Sequence, residues 1–349
     1  MRLVNVQEEL DSIDVIRKVT GIRTEDIYNK MLAKGWTLGS EYLVPLLHGL
    51  VRLYHPEQVK VFRKFWAQRK PDLVVSLIPN LNRSLFESLK AVHPEVPYVT
   101  ILTDLADYPP HFWMEKQAQF FICGTARAAE QAYEMGHPGE RVFTTSGMIL
   151  RPVFYELDPL DVAEERRRLG LDPHLPTALI MFGGEGSASM KTIAKRLGTC
   201  SLDLQMILIC GKNAKLKAKL EALETRNRKF VEGFTNQVPH YMRMSDFFIG
   251  KAGPGSISEA IQMGLPVMVE RNAWTLPQEV YNTHWVEEKG VGVAVKNFRN
   301  IVPAVRRMLA EGRLAAMREA TSSIHNRAVF EIPELLERAL AMAYAPARA

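Results

Sequence analysis

The chain has 349 residues, 47% of them hydrophobic, too long for one small core and suited to two domains of ordinary size. Lys and Arg number 44 against 39 Asp and Glu, a formal charge of +5 that favours anionic partners without naming one. No zinc spacing, recognition-helix pattern or aromatic RNA-binding motif uses that charge, so nucleic acid is set aside as a partner and an anionic membrane surface is kept.

In chain order, the opening MRLVNV reads as a strand, and the residues after it lack the basic-then-apolar pattern of a signal peptide. Residues 36–70 mix Leu, Trp and Tyr with Arg52, Lys60, Arg63, Lys64, Arg69 and Lys70. Such a stretch either lies in a membrane interface with its basic groups near anionic headgroups, or forms a pair of helices packed on the first sheet. Both readings hold if only the first helix is exposed. LVVSLI (73–78), YVTILT (98–103), QFFIC (119–123) and RVFTTS (141–146) predict four strands. A helix from Leu81 carries Leu85, Leu89 and Val92 on one face.

Residues 151–176 read as an interdomain connection with a short helix in AEERRRLG. TALIMF (177–182), LQMILIC (204–210), KFVEGF (229–234), DFFIG (246–250) and PVMVE (266–270) then repeat the alternation of strand and helix, which predicts parallel sheets in two Rossmann-like domains. The tail IPELLERALAMAYA has helical spacing and is expected to cross back onto the first domain. The expected division is 1–152, 153–328 and a C-terminal helix over 329–349. Cys123, Cys200 and Cys210 have no metal-ligand spacing and read as reduced, buried thiols. No stretch approaches the roughly 20 apolar residues of a spanning helix, so a cytoplasmic or peripheral membrane location is expected.

Three segments carry chemistry. KAGPGSISEAIQMGLPVMVE (251–270) reads as strand end, glycine turn, helix, glycine stop and strand. Gly253 and Gly255 clear space for the backbone, Ser256 is expected to cap the helix, and its free N–H groups suit a diphosphate. Glu259 either accepts from ribose hydroxyls or complements the helix dipole as a surface charge. FGGEGSASM, from Phe182, places Gly183, Gly184 and Gly186 in a flexible turn, with Ser187 or Ser189 offering a hydroxyl. A lone glycine cluster is a weak signal, strengthened here by its place after a strand in the same domain. TLPQEVYNTHW (275–285) supplies Gln278, Glu279 and Asn282, either for sugar hydroxyls or as a solvated helix face. No DxD pair offers a platform for a divalent metal, so no metal or cofactor is expected and the leaving group falls to the positive helix ends.

Taken in order, GGEG, GFTNQV, SDFFIGKAGPGSISEAIQMGLPV and PQEVYN resemble the donor domain of the monogalactosyldiacylglycerol synthase and processive diacylglycerol glucosyltransferase family, relatives of the peptidoglycan N-acetylglucosaminyltransferase. The resemblance reaches back through LTDLADYPPHFW (102–113) and GMILRPVF (147–154), and covers nearly the whole chain from Pro71. It implies the α/β GT-B fold of two Rossmann-like domains facing a cleft, an inverting mechanism, a UDP-sugar donor and a diacylglycerol acceptor. Carried over, it puts Glu259 on the ribose, Gly253, Pro254, Gly255 and Ser256 on the diphosphate, Gln278, Glu279 and Asn282 on the sugar, and Phe234 and Val238 at the uracil. The family opens with a strand and a glycine-rich loop ending in histidine. This sequence shows no such loop, so its N-terminal domain is expected to lack that strand and loop, with a preceding segment restoring them.

Inverting transfer needs a general base for the acceptor hydroxyl, and the sequence leaves Asp104, Asp107 and His111. Alternatively the two carboxylates build a turn and His111 packs beside Phe112 and Trp113. The function expected is hexose transfer, galactose ahead of glucose, to diacylglycerol at the inner membrane face. Another lipid-linked transferase, a catalytically silent UDP-sugar-binding protein and a UDP-sugar epimerase of the same fold remain as alternatives.

Overall fold

The structure, a computed structural model, describes residues 1–10 and 53–345. Residues 36–52 of the stretch expected at a membrane interface, 36–70, lie outside the described residues. Residue contacts divide the described residues into two units: one takes 1–10, 53–149 and 327–345, the other 150–326.

In the first unit the opening residues form no strand. Residues 1–5 are irregular and lead into one helical turn, α1 (Val6–Glu9), so the reading of MRLVNV as a strand is corrected. Asn5 is the reason: its side chain accepts from the Gln7 N–H and caps the turn, while Val4, Val6 and Leu10 pack inward. The helix α2 (His55–Ala67) follows, with Phe62, Phe65 and Trp66 buried against Leu81, Leu85, Leu89 and Tyr98. Packing on the core is therefore the correct reading for this part of residues 36–70. Its opposite face carries Lys60, Arg63 and Lys64 in solvent.

Four parallel strands, β1 (Val74–Ser76), β2 (Tyr98–Ile101), β3 (Phe120–Cys123) and β4 (Val142–Thr144), lie in sequence order. Helices α3 (Asn82–Val92) and α4 (Ala126–Glu134) connect them. One face of this sheet, with Val99, Ile101, Phe120, Ile122 and Phe143, is covered by Ala328, Ile332 and Ala339 of the C-terminal helix (Ala328–Tyr344). The tail thus returns to the first sheet by its apolar face.

The second unit opens with α5 (Val162–Arg168), capped by Asp161 and anchored by buried Arg166, which meets Asp246 at 2.8 Å. Strands β5 (Thr177–Met181), β6 (Gln205–Ile209), β7 (Lys229–Glu232), β8 (Phe247–Gly250), β9 (Val267–Glu270) and β10 (Gly292–Val295) form a parallel sheet in the order β10-β9-β8-β5-β6-β7. The chain enters at the centre, winds out through β6 and β7, then returns to β8 and winds the other way, which is the doubly wound Rossmann order. Alternating residues feed two cores: Ala178, Ile180, Met206 and Leu208 on one face, Leu179, Met181, Ile207 and Ile209 on the other. A parallel sheet covered on both faces needs such continuously apolar strands. The tenth strand, in GVGVAV, was not anticipated. Gly292 marks why it must be small there: a Cβ would strike the Val267 carbonyl of the neighbouring strand.

The three cysteines are unbridged, Cys123 and Cys210 buried and Cys200 partly so. Among the described residues no helix is long and apolar enough to cross a membrane.

Candidate functional site

The strand order reverses between β5 and β8, and Met181 at the end of β5 pairs with Gly250 at the end of β8. The loops leaving those two residues therefore start side by side at the carboxyl edge of the sheet. That edge, at the switch point, is where open α/β sheets bind ligands.

The first loop carries Gly183 at φ 72° and Gly186 at φ 61°, left-handed positions that favour glycine. A Cβ on Gly186 would stand 2.8 Å from the Cys210 carbonyl oxygen. Gly184 gives its carbonyl to the Lys212 N–H at 2.7 Å, and a Cβ on Gly211 would collide with the same oxygen. The glycine turn is thus pressed onto the turn that follows β6. Ser187 accepts from the Ser189 N–H at 3.2 Å, opening helix α6 (Ser189–Gly198).

The second loop leads into α9 (Pro254–Gln262). Gly253 is its N-cap, Pro254 holds the first helical position, and Ser256 lies inside the first turn. The expected Ser256 cap is corrected: the proline ring, lacking an N–H and fixed in φ, starts the helix three residues earlier than a serine cap would. Gly253 leaves room for Lys251, whose Cε would be 3.0 Å from a Cβ there. Gly255 faces open space. Glu259, half-buried one turn further on, has its carboxyl pushed up to about 7 by burial, opposed by the Arg151 guanidinium.

The third segment is α10 (Pro277–Glu288), after β9. Glu279 is buried and accepts from the Lys251 ammonium at 3.0 Å. Asn282, fully buried, donates through Nδ2 to the Ala252 carbonyl at 2.8 Å, while its Oδ1 is a buried acceptor with no partner. A buried unpaired acceptor is costly and marks a place where a donor group would be welcome. Gln278 is half-buried on the same turn. A solvated helix face is therefore the wrong description of these three residues.

At the far end of the ledge Phe234 is 60% exposed, with the Lys212 ammonium 5.8 Å from its ring centre. Val238 begins α8 (Val238–Arg243) and is half-buried. Below them Glu232 accepts from the Gly233 N–H at 2.7 Å and the Tyr241 hydroxyl at 2.8 Å. The sequence reading missed Lys251, Lys212 and Arg151. Lys251 stood directly before the glycine turn and was visible as a cation beside the expected diphosphate turn, whereas Arg151 gave no local signal.

In the first unit the three proposed bases have different surroundings. Asp104 is buried and accepts from the Trp113 indole N–H at 2.8 Å. Asp107, 2% exposed, accepts from the backbone N–H groups of Trp113 at 2.6 Å and His111 at 3.0 Å. Burial pushes its carboxyl up to about 6 against the pull of those donors. The Gln131 side chain also bonds both the N–H and the carbonyl of Asp107. His111, at φ 65°, holds its ring in solvent. Buried Asn82 ties this loop down, donating to the carbonyls of Ile78 and Trp113 and accepting from Ser76 and Tyr98. Among the described residues no group of three or more His, Cys, Asp or Glu is placed to hold a metal ion.

Comparison with known proteins bears on the fold and the family. Residues 179–327, nearly the whole second unit, match the Glycosyltransferase family 28 C-terminal domain. A probable monogalactosyldiacylglycerol synthase 2 of Oryza sativa is 34% identical over 248 residues, covering 68% of this chain and 51% of the relative. The spinach monogalactosyldiacylglycerol synthase is 31% identical over 246 residues, covering 68% and 46%. The chain thus spans about half the length of the curated relatives it matches. Among solved structures, the S. aureus MnaA–UDP complex superposes with a TM-score of 0.63 at 17% identity, covering 85% of this chain and 83% of that one. Acinetobacter baumannii MurG gives 0.59 at 12% identity, covering 80% and 77%. These likenesses establish the fold, two Rossmann-like domains of the GT-B kind. The chain is a homologue of the plant monogalactosyldiacylglycerol synthases over about half of their length, and residues 179–327 match the glycosyltransferase family 28 C-terminal domain.

Proposed function

We propose that the chain is an inverting hexosyltransferase that carries galactose, ahead of glucose, from a UDP-sugar to diacylglycerol while bound peripherally to an anionic membrane surface. The observation that carries the donor half is the convergence, at one switch point, of Gly183, Gly184, Gly186 and Ser187, the turn Gly253–Ser256 with Glu259, and Gln278, Glu279 and Asn282. In this reading the diphosphate sits on the N–H groups opening α9, and Glu259 holds the ribose. Phe234 and Val238 flank the uracil. Gln278, Glu279 and Asn282 read the sugar, the unpaired Asn282 Oδ1 taking a sugar hydroxyl.

Diacylglycerol's free hydroxyl attacks the anomeric carbon, the bond to the β-phosphate oxygen breaks, and UDP leaves with the electron pair. The hydroxyl proton goes to a base, and we assign that role to His111. Asp104 and Asp107 already accept from Trp113 and His111 and are the scaffold of its loop, whereas the His111 ring is in solvent. The acceptor half and the membrane are supported by the synthase relatives and by the net positive charge.

The test is turnover of labelled UDP-galactose with diacylglycerol vesicles. Formation of galactolipid supports the reading. Binding without product supports a silent UDP-sugar-binding protein, and conversion of the donor without acceptor supports an epimerase.

A further inference from the structure

The Lys251–Glu279 ion pair stands at a place with two demands on it. Lys251 leaves the end of β8 beside Gly253, the N-cap of α9, so its ammonium adds a full charge to the partial charge of the helix end. Glu279 stands in the first turn of α10, is buried, and holds that ammonium at 3.0 Å. An ionised carboxylate accepts and cannot donate, so while Lys251 occupies Glu279 one of its acceptor sites is closed to a sugar hydroxyl. Two negatively charged groups, the Glu279 carboxylate and an incoming diphosphate, thus compete for one cation.

We propose that Lys251 is exchanged between them: it rests on Glu279 in the free protein and moves to the diphosphate when the donor binds, releasing Glu279 to accept from the sugar. Lys251 is a flexible cation with three donors, able to swing without moving the backbone, and its side chain is partly exposed on the side of the turn. Asn282 gives a second sign of a ligand at this turn, since its amide nitrogen is bound to Ala252, next to Lys251, while its buried oxygen lacks a donor. The exchange couples recognition of the leaving group to recognition of the sugar: a ligand bearing only one of the two leaves either the cation or the carboxylate unmatched. It rests on the donor site assigned above.

The distinguishing measurement is calorimetric binding of UDP, which carries the diphosphate but no transferable hexose, to the wild type, Lys251→Gln, Glu279→Gln and the double variant. Exchange predicts that Glu279→Gln binds UDP about threefold or more tighter, because the competitor is gone, and that Lys251→Gln binds it about tenfold or more weaker. In the double variant the gain from Glu279→Gln disappears. A Glu279 that merely braces the fold gives unchanged or weaker UDP binding on substitution, and that result overturns the exchange while leaving the donor site standing. A wild-type protein that binds no UDP overturns the donor site and the exchange with it.

Discussion

Glu259 offers the most searching test of the donor site, because its environment gives it an unusual titration. Burial raises its carboxyl from the ordinary 4.5 to about 7, with the Arg151 charge opposing the rise. Ribose hydroxyls donate to the ionised form. Hydrogen bonds to a charged group contribute about 1.5–3 kcal/mol, so Glu259→Gln should weaken UDP binding roughly tenfold or more at pH 8. With half-ionisation near 7, only about a tenth of the carboxyl is ionised at pH 6. Wild-type affinity should therefore fall about tenfold between pH 8 and pH 6. The variant should lack this component. UDP has a phosphate that titrates in the same window, so the quantity to read is the difference between wild type and variant, from which the ligand's own titration cancels. Stability has the opposite sign. A carboxyl whose folded pKa exceeds its unfolded value loses stability as pH rises from about 4.5 to 7. Glu259→Gln should therefore raise the melting temperature at pH 8 and leave it nearly unchanged at pH 4. Parallel binding profiles for the two proteins would refute the assignment of Glu259 to the ribose.

His111→Ala should lower kcat by about 100-fold or more while leaving UDP affinity and melting temperature close to wild type, since the ring is exposed; equal turnover would remove it as the base. Asp107→Ala should cost about 2–4 kcal/mol of stability, measured by urea unfolding, because the N–H groups of His111 and Trp113 lose their acceptor. Gly211→Ala should destabilise by about 1–3 kcal/mol and weaken UDP binding, as its Cβ must displace the Gly184 turn and its φ of 59° is strained for alanine. Unchanged UDP affinity in a folded Gly211→Ala protein would separate the glycine turn from the site.

Nine of the ten strands among the described residues were legible in the sequence because they are short apolar runs between glycine, proline and polar turns. The tenth was lost in GVGVAV, where Gly290, at φ 66°, and Gly292, which the Val267 carbonyl requires, dilute the strand signal. MRLVNV misled for a related reason. Its alternation is strand-like, and the deciding feature is one capping side chain, Asn5, whose effect depends on the helical turn it starts. At the site, residue types and order were readable while pairings were not. KAGPGS announced a glycine turn that opens a helix. That Pro254 moves the cap to Gly253, that Lys251 reaches a glutamate 28 residues away, and that Arg151 opposes the titration of Glu259 are consequences of tertiary packing. Asp104 and Asp107 show the same limit in reverse: two acidic residues after a strand suggest catalysts, and their part in bracing a loop shows only in their hydrogen bonds to Trp113 and His111.

Transfer from a UDP-sugar to a lipid is tested by crossing UDP-galactose, UDP-glucose and UDP-N-acetylglucosamine with vesicles containing diacylglycerol, followed by determination of the product's anomeric configuration. The expected product is a β-linked galactosyl lipid from the α-linked donor, formed faster than the glucosyl product and dependent on diacylglycerol. Absence of any glycosylated lipid across the panel from a folded protein that binds UDP, or an α-linked product, would contradict the proposed inverting transfer.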